Sequence, residues 1–290
     1  MRGWRDMVWW AGLVWVFGGL VAGAQATSAT PASPASTARA DGSPPAGVSL
    51  VTEYAPLDRL ASGGDAQAAK QLAADFMRCE DVVASHAAIT GWQQVNPGKP
   101  LPAELLGRAA ETDDAAVLCA GYQAQFQDGR VYQVLWQAAT LGDSHAAACY
   151  VAGSYFTRLG RFPASTPSTY QGYATTLLQR AIREGQWRVV QAALESMSFR
   201  VVDEAPLAAF LGGDVATRYR LNRLLRLGAE PDSKEIRMLD RDTDFLAKLT
   251  PRQRAEGEAW AKDMFARYFR ASGPSTPFTQ VCTGRPGGYS

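Results

Sequence analysis

The sequence predicts an all-α protein in which helical hairpins repeat along the chain as a short solenoid. The first observation is a recurring turn: residues 61–68 read ASGGDAQA, residues 139–146 read ATLGDSHA, and residues 210–216 read FLGGDVA, a fainter copy. The second is that apolar residues follow the turns at helical spacings. The third is that strand signals are scarce. The β-branched pairs Val189-Val190 and Val201-Val202 do not belong to an alternation of apolar and polar residues long enough for a strand.

The recurring turn has a physical reason to join two helices. A glycine just past a helix end adopts the left-handed backbone without steric cost, and the aspartate after it can accept free N–H groups of the next helix. Gly64 with Asp65 and Gly142 with Asp143 are therefore the predicted repeat turns. A repeated helical hairpin is typical of scaffolds whose usual role is to hold another molecule.

The N-terminus has the pattern of a secretory signal peptide. Two arginines precede an uncharged apolar run, residues 7–23, and Ala24-Gln25-Ala26 follows as a small-x-small cleavage site. We predict that residues 1–26 are a cleaved signal peptide and that the mature chain is periplasmic or secreted. The alternative is an uncleaved anchor, because the apolar run is just long enough to cross a hydrocarbon core.

The mature chain divides into three predicted parts. Residues 27–48 contain too little bulky apolar surface to offset the entropy of ordering, so we expect a disordered linker rich in Ala, Ser, Pro and Thr. Residues 49–273 form the helical repeat domain, and residues 274–290 an irregular tail. Removing the signal leaves 27 basic and 27 acidic residues. A neutral chain lacks the net positive charge that is typical of proteins that bind nucleic acid or an anionic membrane surface.

Helices are predicted over most of the domain. Prolines between positions 97 and 102 predict a loop over residues 91–102, and Thr250 with Gln253 and Asp232 with Glu235 have capping-box spacing. The expected helices cover residues 56–62, 65–83 (extended by His86 and Ile89), 103–110, 114–125, 131–141, 143–155, 170–184, 187–196, 206–211, 214–227 and 251–271.

Four cysteines are the disulfide candidates: Cys79, Cys119, Cys149 and Cys282. An even number in an exported chain suggests two disulfides, and four cysteines allow three pairings. We predict Cys79–Cys119, on helices of adjacent repeats, with Cys149 bonded to Cys282 of the tail; a packed thiol is the alternative for Cys149. Zinc is disfavoured, because the chain lacks a C-x-x-C spacing and has only two histidines.

The hairpins resemble Sel1-like repeats, relatives of tetratricopeptide repeats. Gly64 is followed at the family's spacing by Ala68, Leu72, Ala73 and Phe76, a full match on the second helix. Gly142 matches through Ala138, Ala139, Ala146 and Tyr150, then departs at Val151 and Ser154, and the positions around Gly185 and Gly213 match weakly. These glycines are separated by 78, 43 and 28 residues, so the array is degenerate. The resemblance implies an α-solenoid that recruits proteins; a non-repeat all-α domain is the alternative.

Residues that could carry catalysis have plain structural explanations. His145 falls in the first turn of a repeat helix, where polar residues normally meet solvent, and His86 points away from its neighbour Ser85. Glu184, Glu195 and Glu204 are expected to be solvated surface acids, because nothing local would raise the pKa of a carboxyl group. The chain lacks a G-x-S-x-G elbow, a phosphate-binding glycine loop and an H-E-x-x-H helix.

Two further residue sets have the composition of binding elements. Arg220, Arg223 and Arg226 form a basic stripe that we expect to be a solvated helix face, with an anion site as the alternative. The tryptophans of the domain could line a sugar or peptide groove but are expected to be core residues: Trp92, Trp136, Trp187 and Trp260.

The function expected from the sequence is that of an exported, non-enzymatic scaffold that uses no cofactor and binds a protein or peptide partner. The first alternative is a periplasmic hydrolase acting on the cell wall, which would need converging carboxylates. The second is a helical domain with a closed apolar pocket for a small molecule.

Overall fold

The computed structural model describes residues 47–126, 129–153, 155, 166–198, 215–231, 233–241, 248–273 and 282. Every regular element in these ranges is helical, so the all-α prediction is confirmed. The elements are α1 (Leu50–Ser62), α2 (Ala66–Val95), α3 (Ala103–Ala115), α4 (Tyr122–Gln125), α5 (Arg130–Thr140), α6 (Ser144–Ala152), α7 (Thr166–Arg183), α8 (Trp187–Ser198), α9 (Val215–Gly228), α10 (Lys234–Arg241), α11 (Pro251–Met264) and a π-helix (Phe265–Phe269).

The chain has two compact units, Met1–Thr37 and Ala38–Ser290, and the described residues all belong to the second. The predicted signal peptide, the linker up to residue 46 and the predicted helix 206–211 lie outside the described residues, as do residues 210–214 of the third turn copy. Of the predicted tail, the structure describes Cys282 alone.

The first two helices are longer than the sequence predicts. α1 begins at Leu50, where Ser49 caps it by accepting from the N–H of Thr52, and Pro56 lies inside the helix instead of starting it. α2 continues through the expected loop to Val95. Its interior glycine costs about 1 kcal/mol relative to alanine, whereas a residue that precedes a proline is disfavoured in helical conformation. The helix therefore ends just before Asn96 and Pro97 and not at Gly91.

Other boundaries differ for local reasons. α3 and α4 replace the predicted helices 103–110 and 114–125, and the left-handed Gly121, with φ of 78°, separates them. α6 stops at Ala152, because Gly153 is left-handed. Ser233 accepts from the N–H of Ile236 at the start of α10, and Asp232 of the predicted capping box lies outside the described residues. The capping box of Thr250 and Gln253 is confirmed at α11, which gives way to the π-helix instead of continuing to residue 271.

Three hairpins share one backbone turn. The N–H groups of Gly64, Gly142 and Gly185 donate to the carbonyl three residues earlier, at 3.0, 3.1 and 3.3 Å. The next residue in each turn donates to the carbonyl five residues earlier, at 3.1, 3.0 and 2.9 Å, which completes a Schellman motif. The three glycines have φ of 95°, 100° and 67°. Asp65 and Asp143 then cap α2 and α6 by accepting backbone N–H groups, as predicted.

The main packing contacts join helices close in chain order. α1 packs on α2, α5 on α6, and α7 on α8, so each hairpin is formed by its own two arms. Contacts of α2 with α5 and α6, and of α6 with α7 and α8, join one hairpin to the next. One apolar core runs through these helices, and it includes Phe76, Leu135, Tyr155 and Val190. Helices of each hairpin therefore pack on those of the next hairpin in the chain.

Candidate functional site

The first arms of the hairpins, α1, α5 and α7, are linked in sequence by side chains. Arg130 at the start of α5 forms an ion pair with Asp58 of α1 at 3.4 Å and donates a hydrogen bond to the Tyr54 hydroxyl. Its guanidinium also lies 5.3 Å from the centre of the Tyr54 ring, within cation–π range. Gln137, two turns along α5, donates to the Ser62 hydroxyl at 3.3 Å. These contacts fix the register of α5 on α1.

The α5–α7 junction carries a stacked aromatic pair. The Trp136 and Tyr173 rings are nearly parallel, at 15°, with centroids 4.0 Å apart. Trp136 is half-buried, whereas Tyr173 is 40% exposed. Arg180 of α7 closes the junction by donating to the Thr140 carbonyl at 3.1 Å. The two helices therefore present a ring pair to solvent across two successive hairpins.

A buried aromatic layer supports that pair from below. Tyr150 of α6 lies 5.9 Å from Trp136, and its ring stacks on Tyr170 of α7 at 5.4 Å. The Tyr170 hydroxyl donates to the Val151 carbonyl at 2.6 Å. Burial raises the pKa of both Tyr150 and Tyr170, so each hydroxyl stays protonated over the physiological range. The layer is a rigid base for the exposed ring.

We call the surface formed by Gln133, Trp136, Gln137, Thr140, Tyr173, Thr176 and Arg180 the α5–α7 face. Positions 133, 136, 137 and 140, and positions 173, 176 and 180, follow helical spacing and share one side of each helix. The single charged member, Arg180, is paired with Glu184 at 2.6 Å. Amides, hydroxyls and aromatic rings can hydrogen-bond and stack on an uncharged ligand without desolvating an unpaired ion.

Both predicted disulfides are present. Cys79 bonds to Cys119, with Cα atoms 5.2 Å apart, and Cys149 bonds to Cys282, with Cα atoms 4.9 Å apart. Cys149 is therefore not the packed thiol of the alternative interpretation. Two disulfides fit an oxidising compartment. No group of three or more metal-ligating side chains occurs in the described part of the chain.

His145 is buried, which corrects the expectation that it meets solvent. It is 7% exposed, because α8 packs over the first turn of α6. Its Nδ1 lies 3.1 Å from Nη1 of Arg188, and its Nε2 lies 3.7 Å from Sγ of Cys149. His86 is exposed, on the part of α2 that extends toward Val95.

Among the three candidate acids, Glu195 also departs from expectation. It is half-buried on α8, and burial raises its pKa to about 7, so it is not a solvated surface acid. Glu184 is exposed, as predicted, and Glu204 lies outside the described residues. Sequence spacing missed Glu195 because the burial comes from the packing of α8, which carries an apolar residue on nearly every side.

The most deeply buried acid of the described residues, Asp75 of α2, was not a candidate from the sequence. It is 3% exposed, and its Oδ2 has no hydrogen-bond partner among the described residues. Burial raises its pKa to about 7; the nearby Glu53 adds to the rise and Arg78 opposes it. The available signal was its position, one residue before Phe76 and four before Cys79 on the apolar side of α2.

The basic stripe of α9 is not a solvated face. Arg223 forms an ion pair with Glu258 of α11 at 2.7 Å, and Arg226 forms one with Asp240 of α10. Arg220, the third member, is half-buried. Two of the three arginines therefore hold neighbouring helices together, which the sequence alone could not show because their partners are 14 or more residues away.

Three of the four tryptophans pack in or on the core, as predicted. Trp187 is buried against Phe269 at 4.2 Å, and Trp260 and Trp136 are half-buried against the core. Trp92 is half-buried near the end of α2. The ring of Trp136 also stacks on the exposed Tyr173. Sequence reasoning missed its partner Tyr173, whose only signal is its place on the polar side of α7.

No helix in the described ranges is both long enough and apolar enough to span a bilayer. Comparison with known proteins gives no match among family models, curated proteins or solved structures. The resemblance to Sel1-like repeats therefore rests on the residues of the hairpins alone.

Proposed function

We propose that the protein is an exported, non-enzymatic helical-repeat scaffold of Sel1-like type whose α5–α7 face binds an extended, uncharged peptide segment of a partner in the cell envelope. The observation that carries the proposal is the Trp136–Tyr173 stack, which joins two hairpins and leaves one ring 40% exposed. Three copies of one turn and the ordered packing of the arms support the array.

The chemistry of the face favours a peptide without charges. Four polar side chains of the face each make one hydrogen bond within the described part of the chain: Gln133 with Arg130, Gln137 with Ser62, Thr140 with the Gln137 carbonyl and Thr176 with the Gly172 carbonyl. Each keeps a further donor or acceptor that matches the N–H and C=O groups of an extended main chain. Arg180 and Arg130 are already paired with acids of this chain, so a charged ligand would gain little and lose hydration. An exposed tyrosine on a buried aromatic base is typical of binding hot spots.

The test uses the exported full chain and a phage-displayed library of linear peptides. A selected peptide is synthesised and its binding is measured by fluorescence anisotropy. We expect Tyr173→Ala to weaken binding by about tenfold or more, and Gln137→Ala by a smaller factor, because contacts are spread over several side chains. The matched control is Leu106→Ala, which removes an exposed apolar side chain of α3.

If the Tyr173→Ala variant bound the peptide as tightly as the wild type, the α5–α7 face would not be the binding site. Binding of neutral glycan oligomers but of no peptide would replace the peptide role by carbohydrate recognition.

A wall-acting hydrolase is the second candidate function, and Glu195 is the observation that favours it. A carboxyl group with a pKa near 7 is half-protonated at neutral pH, which suits a general acid. Release of peptidoglycan fragments by the wild-type chain, lost in Glu195→Gln with the peptide affinity intact, would support this candidate over the scaffold.

A further inference from the structure

The two disulfides of the chain have different surroundings at sulfur. Sγ of Cys149 lies 3.7 Å from Nε2 of His145, one helical turn earlier on α6. Among the described residues, neither sulfur of the Cys79–Cys119 bond is within hydrogen-bond distance of a side-chain donor. The sulfur of Cys149 is thus the one with a nitrogen beside it.

The neighbouring arginine determines which nitrogen of His145 carries the proton. A guanidinium has donors only, so Arg188 donates to Nδ1 of His145 at 3.1 Å. Nδ1 is then the acceptor of a neutral ring, and the ring proton resides on Nε2, which lies toward the sulfur. A thiolate at position 149 would receive this N–H group, while Arg188 holds the ring from its Nδ1 side. A hydrogen bond to the sulfur stabilises a thiolate over a thiol.

We infer that Cys149–Cys282 is an exchangeable, redox-active disulfide, and that Cys79–Cys119 is a structural one. The reductant is an external dithiol, such as that of a C-x-x-C oxidoreductase. Its thiolate attacks Sγ of Cys282, the less buried of the two cysteines at 7% exposure against 0% for Cys149, and the new bond is a mixed disulfide with Cys282. Cys149 leaves with the electron pair as a thiolate beside His145.

The second thiol of the reductant completes the exchange. Its thiolate attacks the mixed disulfide, the reductant closes to its own disulfide, and Cys282 leaves as a thiolate that takes a proton from solvent. Two electrons pass from the dithiol to the two cysteines. Because exchange is faster when the leaving thiol has a lower pKa, the His145–Arg188 pair accelerates the first step.

Reduction has a structural consequence for the C-terminal part of the chain. Cys282 is bonded to the middle of α6, and Gly273 accepts a hydrogen bond from Nε1 of Trp187 at 3.1 Å. Exchange breaks the covalent attachment and leaves the hydrogen bond. The redox state of the exported chain thus decides whether its C-terminal segment is tied to α6, whatever ligand the α5–α7 face binds.

The test follows both bonds in one sample. Native protein is treated with dithiothreitol for increasing times, free thiols are blocked with N-ethylmaleimide, and peptide mapping gives the reduced fraction of each pair. Exposure alone predicts the opposite order, because Cys119 is half-buried whereas Cys282 is 7% exposed and Cys149 is fully buried. We expect the contact of Cys149 with His145 to outweigh this difference, so that Cys149–Cys282 is reduced about tenfold faster or more. His145→Ala should slow that bond by a similar factor, and His145→Gln, which keeps an N–H donor, should restore part of the rate. His86→Ala, the exposed histidine of α2, is the matched control.

A loss of stability in the His145→Ala variant would not imitate the expected result. A partly unfolded variant would expose both disulfides, so both would be reduced faster instead of one more slowly. A second measurement is independent of access by reductant: in Cys282→Ser, thiolate absorbance near 240 nm reports the pKa of Cys149 directly. We expect a pKa below the ordinary value of about 8.5, and a higher pKa when His145→Ala is added. Equal reduction rates for the two bonds, or a pKa of Cys149 unchanged by His145→Ala, would overturn the inference.

Discussion

Helices α2 and α6 follow the same aspartate-capped turn, yet they lie in different surroundings. In α6, every residue from 145 to 151 is buried, because α2, α5, α7 and α8 pack around it. α2 has 30 residues, and the side chains beyond residue 85 are half-buried or exposed. The shared turn determines how the second helix of a hairpin begins. The number of helices packed around it determines which side chains it can accommodate.

The polar groups buried in the two helices show the same contrast. His145 of α6 lies against Arg188 and Cys149, so both ring nitrogens have neighbours. Asp75 of α2 leaves one carboxylate oxygen without a partner in the described part of the chain, and protonation is its remaining way to avoid a buried charge.

The largest expected effect is at Asp75 and depends on pH. Its folded pKa, about 7, lies above the ordinary 3.8, so ionisation opposes folding. The penalty is absent below about pH 4, grows as pH rises toward 7 and is complete above it. Asp75→Asn should therefore raise the free energy of unfolding at pH 8, by an amount on the order of 4 kcal/mol at most, and far less at pH 4. Urea denaturation at both pH values measures this difference.

The control for that prediction is Asp114→Asn on the exposed side of α3, which should change stability by less than about 0.5 kcal/mol at either pH. If Asp75→Asn gave the same gain at pH 4 and pH 8, the burial of an ionised carboxylate would not be its cause.

The second effect compares how α6 and α2 accommodate a larger side chain. Ala148 of α6 is fully buried, and Ala87 of α2 is exposed. Ala148→Leu forces three more carbon atoms into a packed interior and should cost about 1–3 kcal/mol, whereas Ala87→Leu should fall within about 0.5 kcal/mol of wild type. Thermal melts of the two variants give the comparison. Equal melting temperatures would mean that α6 has room that the structure does not show.

The smallest effect concerns the caps, where the two helices should behave alike. Asp65 accepts from the N–H groups of Gln67 and Ala68 at 2.9 and 3.0 Å, and Asp143 accepts from Ala146 at 2.7 Å. Replacing either aspartate by alanine should cost about 1 kcal/mol. Denaturation of Asp65→Ala and Asp143→Ala tests this, and a gap of more than about 1 kcal/mol between them would show that the turns are not equivalent.

Features governed by nearby residues were predictable from the sequence. The turns at Gly64 and Gly142 need only a glycine, an aspartate and helical neighbours, and the capping box at Thr250 needs only its spacing to Gln253. Each of these depends on contacts within a few residues. The cysteine pairing is not of this kind: an even number predicts two disulfides but allows three pairings, and Cys119 lies in the turn between α3 and α4 instead of on the predicted helix 114–125.

Features set by contacts between helices were not predictable. The burial of His145 arises where α8 packs on α6, that of Glu195 from the helices packed against α8, and the two partnered arginines of α9 depend on acids of α10 and α11. Tyr173 becomes a candidate binding residue only once Trp136 is known to lie beneath it. A single sequence carries no record of such pairings.

The two disulfides also set the covalent topology of the chain. They close one loop from Cys79 to Cys119 and a second from Cys149 to Cys282. A protease cut in the exposed connection between α2 and α3 falls inside the first loop, so both fragments stay attached. Between Cys79 and Cys282, the stretch from residue 120 to 148 alone lies outside both loops. Only a cut there, in or beside α5, divides this span into two molecules while the disulfides remain oxidised.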